Sequence, residues 1–209
     1  KIITRIGEAA AKGAELIVFP ELFIPGYPYG MTYGFTVGSR SKAGREDWKT
    51  YYDNSILVDG PEMQRIVDCV KEHSVYVSVG YSERDAVTAT IYNSNVMIAP
   101  DGQTMNHRKL KPTGSERVVW GDADKDFFPV METPWGPMGN LICWESYMPL
   151  ARRRELRSIF PRIRMTMRSG RIRSAISPSR DTASSSMRIC TSRRICTRRP
   201  PAVMRRLRS

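Results

Sequence analysis

This chain of 209 residues has no long apolar run and no cluster of cysteines, and aromatic residues are scarce in its C-terminal part. No apolar run approaches the roughly 18 residues that a membrane-spanning helix needs, and the first residues lack the apolar stretch of a secretory signal. The four cysteines are too few and too scattered for a disulfide framework or a cysteine-ligated metal site: Cys69, Cys143, Cys190 and Cys196. We therefore expect a reducing, cytoplasmic location without membrane association.

The charge is distributed unevenly along the chain. Residues 1–150 carry 15 Lys and Arg against 19 Asp and Glu, a net charge of −4. Residues 151–209 carry 18 Arg, no Lys and two acidic residues, a net charge of +16, with Phe160 as their single aromatic residue. The overall charge of +12 thus belongs to the tail, and the remaining residues are enough to bury a modest core.

Helical and strand patterns alternate over the first 150 residues. Residues 2–13 show apolar positions at helical spacing that end at Gly13, and a second apolar helix face follows Pro61. Short apolar or alternating runs predict strands at residues 15–19, 75–81, 91–99, 103–108, 127–131 and 138–143. This alternation predicts an α/β domain. Such a sheet normally opens with a strand, so we expect that a first strand is missing.

Three chemically reactive side chains follow predicted strands. Glu21 comes after the strand that Pro20 ends, and Lys109 and Cys143 end two others. Strand ends of an α/β sheet meet at one edge, where sites form. A carboxylate can take a thiol proton, an ammonium can stabilise negative charge, and a thiolate can attack as a nucleophile. A helix start behind Cys143 is expected to favour the thiolate.

Each of these residues also has a structural explanation when it is taken alone. A Glu after a strand is usually solvated, a Lys in a basic turn usually lies on the surface, and a buried Cys is usually an inert apolar residue. Cys69 lies on an apolar helix face and is expected in the core. His107 is expected to make a structural hydrogen bond more often than to shuttle protons, and no metal partner for it is evident.

Five blocks nevertheless occur together in order: FPELFIPGYP, HRKLKPT, ERVVWG, TPWGPMGNLICWE and YMPLAR. Together they resemble the nitrilase branch of the carbon–nitrogen hydrolase superfamily over almost all of residues 1–151. The resemblance implies an α-β-β-α sandwich, incomplete here, and a triad of a glutamate base, a lysine and a cysteine nucleophile at Glu21, Lys109 and Cys143. It also implies that no metal or organic cofactor is needed, and that subunits form homo-oligomers, either dimers or spirals.

Further residues around the triad follow from the same resemblance. Glu116 matches a second glutamate that often supports the site. Tyr27 lies in an aromatic loop that is expected near the substrate, with a rigid surface loop as an equally good interpretation. Trp144 and Glu145 distinguish this branch from the amidase and carbamoylase branches, and with His107 they are expected to support the site.

The implied reaction converts a nitrile to a carboxylic acid and ammonia. The Cys143 thiolate adds to the nitrile carbon and forms a thioimidate, water expels ammonia, and the resulting thioester is hydrolysed. An amidase or a cyanide-hydrolysing relative with the same triad is the alternative enzyme, although the residues after the cysteine argue against an amidase. A catalytically dead scaffold is a further alternative, and the substrate side chain, aliphatic or aromatic, stays open.

Residues 152–209 do not continue this pattern. They are rich in Arg and Ser and have no steady helical or strand period. One interpretation is a disordered basic tail. Another is an arm that binds nucleic acid, although the complete absence of Lys is unusual for such an arm.

A frameshift between about Leu150 and Ile159 explains this composition better, and we favour it. Residues 160–190 can be recoded with permitted codons and read two nucleotides later to give RHIA and EG blocks that resemble the family's continuation. An in-frame gene encoding the same tail would contradict this hypothesis. If half of the sandwich is replaced in this way, the first sheet exposes edges, and we expect the chain to fold poorly and to have little activity.

Overall fold

The structure, a computed structural model, describes residues 1–39, 41–124, 128–152 and 188–190. Its helices are α1 (Ile2–Ala10), α2 (Lys42–Asp53) and α3 (Pro61–His73), and short 3-10 helices span Gly114–Val118 and Cys143–Tyr147. Its strands are β1 (Leu16–Val18), β2 (Tyr76–Arg84), β3 (Ile91–Ile98), β4 (Thr104–Arg108), β5 (Val130–Met131), β6 (Met138–Gly139) and β7 (Arg188–Cys190). None of the helices in these ranges is long and apolar enough to cross a membrane.

Five of the strands form one mixed sheet in the order β4-β3-β2-β1-β7. β1 and β2 are parallel, with Ile17 opposite Val77, and the chain between them includes α2 and α3. β2, β3 and β4 then run antiparallel, and β7 pairs antiparallel with β1. β5 and β6 form a separate two-stranded ribbon. This order places the ends of β1 and β4 on either side of β2 and β3.

Both faces of the sheet carry apolar side chains, because successive residues of a strand point to opposite faces. The main core lies between one face and helices α1 and α3, and it includes Ile6, Val70, Val77, Val79, Val96 and Ile98. The opposite face packs on the β5–β6 ribbon through Met97, Ala99, Met105 and Met131. The sheet is therefore covered by helices on one side and by a short ribbon on the other.

Local sequence accounts for the limits of α3. Pro61 lies in its first turn, where the missing N–H has no helical partner to lose. Ser74 ends the helix in the left-handed conformation at φ +51°. Between these limits α3 buries Met63, Ile66, Val67, Cys69 and Val70. Each large apolar side chain of this kind stabilises the fold by about 1.5–3 kcal/mol when fully buried.

The structure confirms the helix after Pro61 and the first four predicted strands, with small shifts at their ends. Cys69 lies in the core, as predicted. The first helix ends at Ala10 rather than Gly13, because the N–H of Gly13 bonds to the carbonyl of Ala10 in a separate turn, where Gly13 has φ +79°.

One predicted strand was wrong, and one helix was not predicted. The strand predicted at residues 138–143 spans only Met138–Gly139, so Cys143 begins a 3-10 helix instead of ending a strand. The physical reason is that the N–H of Ile142 bonds to the side chain of Glu145 at 2.7 Å and not to a neighbouring strand. Helix α2 was not predicted, because charged residues make up half of its sequence and its apolar face is carried by few side chains.

Some predictions fall on residues outside the described ranges. The start of the strand predicted at 127–131 is one case, since Phe127 lies outside the described ranges. Within them, β5 contains only Val130 and Met131. The tail predicted at 152–209, with its disordered, nucleic-acid-binding and out-of-frame interpretations, lies outside them too, apart from Arg152 and β7.

Gly80, in the middle of β2, leaves room for the turn that carries Glu21. A Cβ at this position would lie 2.4 Å from the carbonyl oxygen of Pro20 and 2.7 Å from the Cα of Glu21. Both are backbone atoms, so they could make room for a Cβ only if the whole turn moved. The chain after β1 therefore packs directly on β2, and the N–H of Phe19 bonds to the carbonyl of Ser78 there at 2.8 Å.

We expect Gly80→Ala to destabilise the chain by about 1–3 kcal/mol, because the added methyl group displaces the Glu21 turn. Urea unfolding measures this change. Gly7→Ala is the matched control, since its Cβ would meet only the His73 side chain, at 3.3 Å, and Ala is the better helix former. Equal stability of the two variants would show that the turn does not pack on Gly80.

Candidate active site

Glu21 lies in the turn after β1, with its side chain 25% exposed. Leu22 behind it is fully buried and has a left-handed φ of +51°, which turns the chain at this point. The Oε1 atom of Glu21 accepts hydrogen bonds from Nζ of Lys109 at 2.8 Å and from Nδ2 of Asn93 at 2.7 Å. Glu21, which follows β1, is therefore held by Asn93 in β3 and by Lys109 just after β4, across the intervening strand β2.

Lys109 follows β4 directly and is only 1% exposed. Its Nζ donates to Oε1 of Glu21 at 2.8 Å and to Oε2 of Glu116 at 2.7 Å. Burial alone would lower the pKa of Lys109, but the hydrogen bonds and charges of Glu116 and Glu21 outweigh burial and raise it. The site thus holds a buried ammonium ion between two carboxylates.

Glu116 lies in the 3-10 helix Gly114–Val118. Its Oε2 also accepts the N–H of Thr113, and its Oε1 accepts the hydroxyl of Tyr27, both at 2.8 Å. Burial alone would raise the pKa of Glu116, but the hydrogen bonds from Lys109, Thr113 and Tyr27 lower it. Burial and Glu116 raise the pKa of Tyr27 in turn, so its hydroxyl remains a neutral donor.

Cys143 is exposed and begins the 3-10 helix Cys143–Tyr147 with a left-handed φ of +54°. For a residue other than glycine, this conformation costs of order 1–3 kcal/mol, and such residues cluster at functional sites. The thiol is thus presented at the surface by a strained turn.

Although Cys143 is exposed, the surrounding protein partly desolvates its thiol and raises its pKa, and the carboxylate of Glu21 raises it further. The ammonium of Lys109 and the N–H of Trp144 act in the opposite direction but more weakly. The N–H of Trp144, at the start of the following helix, favours the thiolate as predicted, but desolvation and the carboxylate of Glu21 outweigh it. The thiol is the resting form, and its reaction as a nucleophile requires a base.

Glu145 connects the segments that carry the thiol and the ammonium. Its carboxylate is 1% exposed and accepts the N–H of Ile142 at 2.7 Å and the N–H of Leu110 at 2.6 Å. It also lies 2.8 Å from Nε2 of His107, which is equally buried. Ile142 and Leu110 are the chain neighbours of Cys143 and of Lys109, so this one carboxylate holds the two segments together. His107 makes the structural hydrogen bond that was predicted.

The structure thus brings most of the predicted site residues into one cluster. Trp144 is the exception, since its side chain is 61% exposed and lies against Tyr147, with 5.3 Å between ring centroids. Within the described ranges, no group of three or more His, Cys, Asp and Glu side chains could hold a metal ion.

Asn93 in β3 is a site residue that sequence analysis missed. It is 1% exposed, its side chain bonds to Glu21, and its carbonyl accepts the N–H of Lys109 at 2.7 Å. A signal was present, because three polar residues, Asn93 to Asn95, interrupt an apolar strand. Buried amides need hydrogen-bond partners, so their positions could have been examined for contacts with the site.

A family model for carbon–nitrogen hydrolases matches residues 1–170 and runs past Ala151, where the domain was predicted to end. An aliphatic nitrilase of Sinorhizobium fredii (strain HH103) is 43% identical over 152 residues, which cover 73% of this chain and 49% of that protein. A bifunctional nitrilase/nitrile hydratase, NIT4A, of Lupinus angustifolius is 43% identical over 148 residues, 70% of this chain and 42% of that protein. The chain spans about half the length of the curated relatives that it matches.

A solved structure has a similar arrangement of elements. Nit3 of Saccharomyces cerevisiae, a member of branch 10 of the nitrilase superfamily, superposes with a TM-score of 0.54 at 21% identity, over 73% of this chain and 53% of that chain. At this identity the likeness concerns the fold alone. It agrees with the predicted sandwich of helices and sheets, of which the described residues form a part.

We expect Glu145→Gln to destabilise the chain by about 1–3 kcal/mol, since an amide cannot accept all the donors that the carboxylate binds and its NH2 group opposes one of them. Urea unfolding measures the loss. Iodoacetamide labelling of Cys143, located by peptide mass, reports the movement of its turn. Glu132→Gln is the control, because Glu132 is exposed. If the two variants match in both measurements, Glu145 does not hold the segments together.

The lowered pKa of Glu116 predicts a pH dependence of stability. A carboxyl with a lower pKa in the folded chain stabilises it above the unfolded pKa of about 4.3, and this contribution is lost as the pH falls through the folded pKa. We expect the free energy of unfolding to decline below about pH 4 and Glu116→Gln to weaken the decline. Urea unfolding across this range tests it, and an unchanged decline in the variant would contradict it.

Proposed function

Since the chain belongs to the carbon–nitrogen hydrolase family, we propose that it acts as a nitrilase, which hydrolyses a nitrile to a carboxylic acid and ammonia. The observation that carries this proposal is the buried Lys109 ammonium between Glu21 and Glu116, whose charges act on the exposed thiol of Cys143. These residues are candidates for a cation, a base and a nucleophile. Relatives named as nitrilases, about 43% identical over most of this chain, support the same reaction.

The first step is proposed to join the thiol to the substrate. Glu21 takes the proton of Cys143 while the sulfur adds to the nitrile carbon and forms a C–S bond. The nitrile nitrogen gains electron density, which the Lys109 ammonium stabilises, and it receives a proton from the site. The product is a thioimidate, with the proton of the thiol now on nitrogen.

The second half of the reaction uses two water molecules. The first adds to the thioimidate carbon, with Glu21 as the base, and the C–N bond breaks to release ammonia and leave a thioester. The second water breaks the C–S bond, releases the carboxylic acid and restores the thiol of Cys143. If the C–S bond breaks before the C–N bond, an amide leaves instead.

Glu116 and Tyr27 are proposed to support this chemistry through Lys109. Glu116 keeps the ammonium protonated and in place, and the Tyr27 hydroxyl holds the free oxygen of Glu116. Tyr27 is 41% exposed and lies in the aromatic loop, which suits a residue at the mouth of the site. His107 and Glu145 are proposed to fix the spacing of the two segments, while nothing described gives Trp144 a role.

The expected homo-oligomer and the cytoplasmic location rest on the resemblance and on composition, and they stay predictions. The substrate is proposed to be a small-molecule nitrile. Nucleic-acid binding by the Arg-rich tail concerns residues that lie mostly outside the described ranges and stays a prediction.

We expect the full chain to release ammonia slowly from aliphatic or aromatic nitriles, and Cys143→Ala, Glu21→Gln and Lys109→Met each to reduce this on the order of 10²-fold or more. Ammonia, acid and amide are measured together, with matching amides as competing substrates. Glu132→Gln is the control. Ammonia release that persists in Cys143→Ala would sink the proposal, and faster turnover of amides than of nitriles would favour the amidase alternative.

A further inference from the structure

Three consecutive polar residues interrupt the apolar strand β3, and two of them have structural partners. Ser94 donates to Glu83 at 2.7 Å, and Asn95 accepts the hydroxyl of Ser78 at 2.9 Å, so both bond to side chains of β2. Asn93 differs, because its Nδ2 donates to Glu21 outside the strands while its Oδ1 has no partner among the described residues. A buried amide whose oxygen accepts no hydrogen bond destabilises the fold. The contact with Glu21 therefore offers a reason for an amide at this position.

Asn93 also touches the lysine segment through its main chain. Its carbonyl accepts the N–H of Lys109 at 2.7 Å, which extends the β3–β4 pairing by one residue past β4. One residue therefore contacts both members of the Glu21–Lys109 pair, the carboxylate through its side chain and the lysine through its backbone. Because β3 is an interior strand of the sheet, it positions these groups more rigidly than the loops that carry Glu21 could.

The two oxygens of the Glu21 carboxylate have different surroundings. Oε1 accepts both Nζ of Lys109 and Nδ2 of Asn93, so its lone pairs are engaged. Oε2 has no donor in the part of the chain that the structure describes. A proton leaving a nearby thiol binds where a lone pair is available, so Oε2 is the oxygen suited to receive it.

We propose that Asn93 is a positioning residue that anchors Oε1 of Glu21, so that Oε2 receives the proton of Cys143. This inference rests on the proposed function, since it requires Glu21 to be the base. In the step, the S–H bond breaks, its electron pair stays on sulfur, and an O–H bond forms at Oε2. An amide suits this task because a neutral donor orients the carboxylate without a second positive charge, which would make Glu21 a weaker base.

The test compares two isosteric variants of the full chain, Asn93→Asp and Asn95→Asp. Asn93→Asp replaces the donor by a carboxylate that faces Oε1 of Glu21, whereas Asn95→Asp keeps the oxygen that accepts the Ser78 hydroxyl. Iodoacetamide labelling of Cys143, located by peptide mass, is followed from about pH 6 to about pH 10, across the range where thiols ionise. Thermal unfolding of each variant is measured in parallel.

We expect Asn93→Asp to slow labelling at pH 8 by about threefold or more and to shift its midpoint to higher pH, because the added negative charge opposes the thiolate. Asn95→Asp is expected to change the rate by less than about twofold, since its side chain bonds to Ser78 and not to Glu21. A variant that only perturbed the fold would not move the midpoint in this direction.

The double variant Glu21→Gln with Asn93→Asp tests the contact itself. The amide introduced by the first substitution can donate to the carboxylate introduced by the second, so the hydrogen bond returns with its direction reversed. We expect Glu21→Gln to raise the unfolding temperature of the Asn93→Asp chain, although it does not raise that of the native chain, which is the non-additivity of contacting residues. If Asn93→Asp alone fails to fold, recovery of folding in the double variant is the expected result.

The single variant Glu21→Gln separates this inference from the proposed function. Iodoacetamide reacts with the thiolate that is present at equilibrium. Loss of the neighbouring negative charge lowers the pKa of the thiol, so Glu21→Gln is expected to speed labelling of Cys143 even though it removes the base of the proposed reaction. An unchanged rate would mean that Glu21 does not act on the thiol, and the proposed function would fail. Faster labelling in Glu21→Gln, with Asn93→Asp behaving like Asn95→Asp or without rescue in the double variant, would overturn the role of Asn93 alone.

Discussion

The buried ammonium of Lys109 is the constraint on which the rest of the site depends. A charge at this depth is stable only with partners in good geometry, and removing one partner leaves an uncompensated charge. Glu21 and Glu116 are those partners, at 2.8 and 2.7 Å. The sheet order, the close packing on Gly80 and the 3-10 helix of Glu116 all serve to bring two carboxylates from distant parts of the chain to one Nζ atom.

Most of the described sheet could be predicted because its strands are short apolar runs between clear turn signals. The errors have different physical causes. Leu141 to Cys143 are apolar and look like the end of a strand, but Glu145 takes the N–H of Ile142 and a 3-10 helix begins there. Helix α2 is half charged, so few apolar side chains mark its face.

Site residues could be predicted where a reactive side chain stands at the end of a predicted strand. They could not be predicted where their position depends on the pairing between strands. Glu21, Lys109 and Cys143 each come at the end of a predicted strand, and the resemblance added Glu116 and its neighbours. Asn93 stands in the middle of a strand, and only the pairing of β3 with β4 brings it to Lys109. The raised pKa of Cys143 likewise depends on burial and on charges that are remote in sequence.

The bonds of Glu145 have a consequence for how such a chain can diverge. They tie Leu110 to Ile142, so the chain between these residues is closed into a loop at its base. Insertions or deletions in the β5–β6 ribbon would change the size of this loop while its ends stay joined. A change in the length of this loop would therefore leave the spacing between the Cys143 and Lys109 segments in place.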